Sequence, residues 1–165
     1  MAHRRTPIAA LAALALCAVA GGPASAQTSH EGWPKIDGVL KINKDDGNDM
    51  FRGTSKSDEL LGGHGSDTLY GRGRADVLWG DYKPSGQGTS QYDRMYGGDG
   101  SDFIYASHGR NAILAGTGND TIHAHYGRGS IDCGGGRDTL FISHRSKPGY
   151  KITHCEKVSF KTVGH

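Results

Sequence analysis

The residues from Gly97 to Tyr105 read Gly-Gly-Asp-Gly-Ser-Asp-Phe-Ile-Tyr, with three glycines and two carboxylates in the first six positions. Such a stretch neither fills a core nor continues a helix. Glycine permits positive φ and close backbone approach, so carbonyl oxygens can turn inward in a tight loop. Asp102 sets a charged oxygen beside them. Mixed carbonyl and carboxylate oxygens suit a hard cation such as Ca²⁺, which takes six to eight oxygen ligands in a flexible shell. Phe103-Ile104-Tyr105 follows as a short β-favouring run.

The pattern recurs every nine residues. Stepping back from Asp76 gives Asp67, Asp58 and Asp49, and stepping on from Asp93 gives Asp102, Asn111, Asp120, Gly129 and Asp138. Asp76 and Asp93 are separated by seventeen, so eight inserted residues interrupt the register. Two residues after each position stands a large apolar side chain: Phe51, Leu60, Leu69, Leu78, Met95, Ile104, Ile113, Ile122, Ile131 and Leu140. A fixed short period of this kind marks a solenoid.

Each nonapeptide supplies one turn and one short strand, so two make a coil. Ten units give about five coils, a stack of about 24 Å at a strand spacing of about 4.8 Å. Turns eighteen residues apart then become neighbours. One edge carries Asp58, Asp76, Asp102, Asp120 and Asp138; the other carries Asp49, Asp67, Asp93, Asn111 and Gly129 and decays towards the C-terminus. The richest turns place Gly98, Asp99, Gly100 and Asp102, then Gly116, Gly118 and Asp120, then Gly134, Gly136 and Asp138 on the first edge. Asp49, Gly63, Gly65 and Asp67 form the one good pair on the second. These are the candidate metal ligands. Lys56, Arg74 and Gln91 replace the glycine two before the aspartate, which is expected to cost their turns the metal.

Residues 44–142 resemble the RTX, or haemolysin-type, calcium-binding nonapeptide repeats of secreted bacterial proteins, with Gly62–Tyr70 and Gly97–Tyr105 the closest copies. The resemblance implies an all-β fold, a parallel β-roll (β-solenoid) of about ten half-turns, with Ca²⁺ held between successive turns. Many such proteins join these repeats to a protease, lipase or toxin. This chain has no room for a catalytic domain, so no activity carries over.

The segments flanking the roll have other signals. Met1–Ala26 has a basic start, the apolar run Ile8–Ala20 and the ending Ala24-Ser25-Ala26, which describe a signal peptide cleaved after Ala26. Secretion follows, and no stretch is long enough to span a membrane. Residues 27–43 are a tail and a capping strand, Val39–Ile42, with Ile42 nine before Phe51. Asp81–Tyr92 is the insertion loop, and 143–165 is a C-terminal cap whose last strand is expected over Lys151–Phe160. The chain holds 19 Lys plus Arg and 17 Asp plus Glu; losing Arg4 and Arg5 with the signal leaves equal numbers. A neutral chain without a basic cluster does not read as a nucleic-acid binder.

Two cysteines remain after cleavage, Cys133 and Cys155, and in a secreted chain they read as one disulfide pinning the cap. The positions three after each aspartate give Leu61, Trp79, Tyr105, His123 and Phe141 on one sheet, and Arg52, Tyr70, Tyr96, Leu114 and Asp132 on the other. Cross-strand stacking is the expected role of this ladder. His123 and His125 lack an obvious third ligand for a transition metal. No nucleophile elbow, zincin helix or nucleotide loop is present, so no enzyme is expected. The function expected is a secreted, monomeric, calcium-binding β-roll whose folding is coupled to Ca²⁺. The alternative is an extracellular adhesive module that uses the aromatic face or the 81–92 loop to hold a polysaccharide.

Overall fold

The computed structural model describes residues 32–82, 86 and 88–161. The expected signal peptide therefore lies outside the described residues. Thirteen strands form among them, and every pairing is parallel. One sheet stacks β1 (Leu40–Ile42), β3 (Glu59–Leu61), β5 (Val77–Trp79), β7 (Phe103–Tyr105), β9 (Thr121–Ala124), β11 (Thr139–Ile142) and β13 (Lys157–Ser159). The other stacks β2 (Met50–Arg52), β4 (Thr68–Gly73), β6 (Tyr92–Asp99), β8 (Arg110–Thr117), β10 (Arg128–Asp132) and β12 (Tyr150–Thr153). The chain changes sheet at every strand, which is a parallel β-roll.

The apolar residue of each repeat sets this register. Leu60, Leu78, Ile104, Ile122 and Leu140 lie opposite one another in the first sheet. Phe51, Leu69, Met95, Ile113 and Ile131 do so in the second. All but Phe51, which lies near one end, are fully buried and together form the core. Within these two columns neighbours are eighteen residues apart except across β5/β7 and β4/β6, where the spacing is twenty-six. The described ends of this inserted segment are tied together. Buried Asp81 accepts a hydrogen bond from the Gln91 side-chain amide at 2.8 Å and faces His64 Nδ1 at 3.2 Å.

The caps differ from expectation at both ends. Leu40 to Ile42 pair with Glu59 to Leu61 at a spacing of nineteen, so Lys41 rather than Ile42 lies over Leu60. No glycine turn precedes this strand to set its frame. Instead the N–H groups of Asp37 and Gly38 both donate to Ser57 O, fixing the shifted register. Lys41 extends its ammonium to Arg52 O at 2.6 Å, and Val39 packs on the core in its place. At the other end, two strands replace the single one expected over 151–160. β12 joins the second sheet at a spacing of twenty-one and β13 joins the first at eighteen. The three extra residues are taken up by the 3₁₀ turn Lys147–Gly149 before β12. The stack consequently has about six turns rather than five.

Cys133, in the core, is joined to Cys155 with Cα atoms 5.1 Å apart. The bridge ties the turn after β10 to the segment between β12 and β13. Non-reduced protein is expected to weigh two hydrogens less than reduced protein. Serine at both positions should lower unfolding stability by about 3 kcal/mol through loop-closure entropy. Free thiols in native protein would refute the bridge.

The ring ladder stacks as expected. Trp79, Tyr105, His123 and Phe141 lie with successive centroids 4.8, 4.6 and 5.0 Å apart, and Tyr70 stacks on Tyr96 at 4.7 Å. Trp33, before the first strand, reaches back to donate its indole N–H to the Tyr105 hydroxyl at 2.7 Å.

Candidate metal centre

The aspartates of the first edge form a ladder through the stack. The backbone N–H of Asp58 donates to Asp76 Oδ1 at 2.7 Å. The same bond, at 2.8 Å, joins Asp76 to Asp102, Asp102 to Asp120 and Asp120 to Asp138. Each carboxylate is thus oriented by the coil before it, with one oxygen committed. The second oxygen is not: Oδ2 of Asp76, Asp102, Asp120 and Asp138 is buried and has no hydrogen-bond partner. A buried carboxylate oxygen without a donor is costly. Four in one row are therefore the mark of a site for cations. The ends of the row are closed by protein. Asp58 accepts from Val39 N–H, Thr54 N–H and the Thr54 hydroxyl, and Glu156 Oε2 accepts from Asp138 N–H at 2.8 Å.

Glycine keeps the turns of this edge close enough to share ligands. Gly98, Gly100, Gly116, Gly118, Gly134 and Gly136 all have φ between +93° and +144°. A β-carbon on Gly116 or Gly134 would strike the carbonyl oxygen of Gly98 or Gly116 in the preceding coil; one on Gly118 or Gly136 would strike that of Gly100 or Gly118. At the mouth of the turn the open oxygen of Asp102 and the carbonyl of Ala115, one coil on, both face the bare side of Gly97. Asp76 and Gly97 O do the same at Gly71. Carboxylate and carbonyl oxygens from adjacent coils therefore converge, the donor set that Ca²⁺ takes. Among the described residues no three His, Cys, Asp or Glu side chains come together, so any such ion must draw on these carbonyls.

Two placements bear on the sequence reading. Asp99 lies exposed on the outside of its turn, where it accepts from the Thr117 hydroxyl at 2.9 Å. Arg74, expected to cost its turn the metal, keeps the backbone path of a glycine turn. Arg72 and Arg74 take φ of 87° and 71°, and their carbonyls meet Gly98 and Gly100 as glycine carbonyls do in later coils.

The second edge is built from the same repeat but is satisfied from within. Asp67 accepts from Asp49 N–H at 2.8 Å and Gly63 N–H at 2.9 Å, so both its oxygens are held. Gly65 has φ of 122° and lies against Gly47 O. Asp93 accepts from Asp67 N–H at 2.9 Å and from the Ser107 hydroxyl at 2.5 Å. Asn111, fully buried, accepts from Ser107 and donates to the Tyr150 hydroxyl at 3.0 Å, which in turn donates to Tyr126 O at 2.9 Å. Tyr150 and Glu156 were not picked out from the sequence. Glu156 had a signal, since it stands eighteen after Asp138, but Tyr150 sits at a spacing that no repeat announces.

Burial sets the proton affinity of the row. Removed from water, Asp76 is pushed up to about 8, Asp102 to about 7 and Asp120 to about 6, with neighbouring carboxylates adding to the shift. Without a cation these groups hold protons more tightly folded than unfolded. Their contribution to stability is full below about pH 4 and is lost as pH rises through 6 to 8. In chelator the melting temperature is accordingly expected to fall between pH 5 and pH 8, and Asp76→Asn should flatten that slope. A melting temperature that rises over this range would contradict the ladder.

A family model described as RTX calcium-binding nonapeptide repeat (4 copies) matches residues 45–78, 87–113 and 107–140, just over half of the chain. No curated protein and no solved structure matches.

Proposed function

The chain belongs to the family of RTX calcium-binding nonapeptide repeats, and from that premise we propose that it is a secreted protein that binds Ca²⁺ between the coils of its Asp76–Asp138 edge and folds as it does so. The observation that carries this reading is the row of four buried carboxylate oxygens without donors, with those of Asp76 and Asp102 beside carbonyls of the next coil. Asp76, Asp102, Asp120 and Asp138 supply the charge; the carbonyls around Gly98, Gly100, Gly116, Gly118, Gly134 and Gly136 complete the shells. The Asp49–Asp67 pair is the weaker candidate, because backbone N–H groups already occupy the Asp67 carboxylate. Among the described residues no helix is long and apolar enough to cross a membrane. The chain acts by binding rather than catalysis and as a monomer, and its N-terminal Met1–Ala26 segment directs export.

Calorimetric titration of chelator-treated protein with Ca²⁺ tests this. More than one ion should bind per chain with release of protons at neutral pH. Asn at Asp102, Asp120 or Asp138 should lower the count, while Asn at Asp99 should not. Absence of binding at millimolar Ca²⁺ would end the proposal.

A further inference from the structure

Where the second edge has lost its carboxylates it has gained cations and rings. Arg110 and Arg128 precede Asn111 and Gly129, and His108 stacks on Tyr126 in the next coil with centroids 4.1 Å apart. Beside them opens a cavity of about 630 Å³ lined by His108, His125, Tyr126, Arg128, Ser143 and Arg145, among others. None of its lining residues is acidic. Tyr126 is 57% exposed, so a ring face is open to a ligand. A smaller cavity of about 130 Å³ shares His108, His125 and Tyr126 and continues onto Trp79, Tyr105 and His123, the stacked rings of the first sheet. The two adjoin across this shared wall as a groove, with the edges of stacked rings along one part and two guanidinium groups along the other.

We propose that this groove binds an acidic oligosaccharide. Sugar rings present apolar faces that lie on aromatic rings, and Arg presents the planar fork that a carboxylate or sulfate accepts. Asp81, in the wall of the smaller cavity, is buried and engaged by Gln91 and His64, so its negative charge leaves the ligand's acidic groups to the Arg128 and Arg145 end. With equal numbers of basic and acidic residues after Ala26, the chain also lacks the broad positive field that nucleic acid requires. These features favour a sugar over an oligonucleotide. The inference depends on the folded roll and not on the cation itself, so binding is measured in Ca²⁺ with folding verified by circular dichroism.

The probes are a hyaluronan hexasaccharide, which carries carboxylates alone, and a chondroitin sulfate hexasaccharide, which adds sulfates; chitohexaose is the neutral control. Both acidic probes should bind, the neutral one at least tenfold more weakly. The double variant Arg128→Gln, Arg145→Gln should raise Kd at least tenfold, and Tyr126→Ala should weaken binding in a separate, still folded protein. Arg52→Gln and Arg94→Gln, on the second sheet away from the groove, should leave Kd unchanged. The proposal is overturned if neither acidic probe binds, if chitohexaose binds equally well, if the Arg128 and Arg145 variant binds like the parent, or if a single-stranded oligonucleotide binds more tightly than either sugar.

Discussion

In excess chelator at pH 8 the chain from residue 27 is expected to lose most of its β-type circular dichroism and to regain it as Ca²⁺ rises through about 0.1–1 mM, the range of extracellular modules. The cause is the balance within a narrow roll. Its core is essentially two facing columns of Leu, Ile and Met residues, one from each sheet, each coil burying little apolar area. Against it stand four buried carboxylates with an oxygen each unpartnered. Ca²⁺ held there would neutralise the row and join adjacent turns in one step. Mg²⁺ should substitute poorly, because it demands a tighter octahedron and gives up water reluctantly. Acid should substitute in part, since protonated Asp76 and Asp102 need no counter-charge. A native spectrum in chelator at pH 8 would sink the coupling, though not the fold.

The second large effect separates the two edges. Asp120 lies between Asp102 and Asp138 in the ladder, bonded to both through its Oδ1 and its N–H, and its Oδ2 is buried without a hydrogen-bond partner. Asp120→Ala should lower the bound Ca²⁺ count by at least one and raise the Ca²⁺ midpoint for folding severalfold or more. Each tenfold excess of Ca²⁺ over Kd adds about 1.4 kcal/mol per site, so two weakened sites show clearly. Asn111 occupies the equivalent place on the other edge but is built into a network with Ser107 and Tyr150. Asn111→Ala should therefore destabilise the fold by about 1–3 kcal/mol through its orphaned partners. It should leave the ion count unchanged. A lower count in Asn111→Ala, or an unchanged one in Asp120→Ala, would place the ions on the wrong edge.

The repeat made most of this legible in advance. A residue type fixed at every ninth position, with an apolar side chain two later, dictates both the inward column and the pairing of turns eighteen residues apart. Ile104 over Ile122 and Asp102 over Asp120 follow from that alone. What the period does not encode lies where it stops. The Lys41 register depends on Ser57 O capturing two N–H groups, and Tyr150 reaches Asn111 only because a 3₁₀ turn adds three residues. Composition also hides which carboxylates are satisfied. Asp67 and Asp102 stand in nearly identical sequences, Gly-Gly-His-Gly-Ser-Asp and Gly-Gly-Asp-Gly-Ser-Asp, yet Gly63 N–H reaches the second oxygen of Asp67 and no donor reaches that of Asp102.

Anomalous diffraction from crystals grown in Ca²⁺ tests the central claim most directly, because it locates the ions. Peaks are expected between the coils of the Asp76–Asp138 edge, within bonding distance of Oδ2 of Asp102 and Asp120. Peaks confined to the Asp67–Asn111 edge, or none on either, would contradict it.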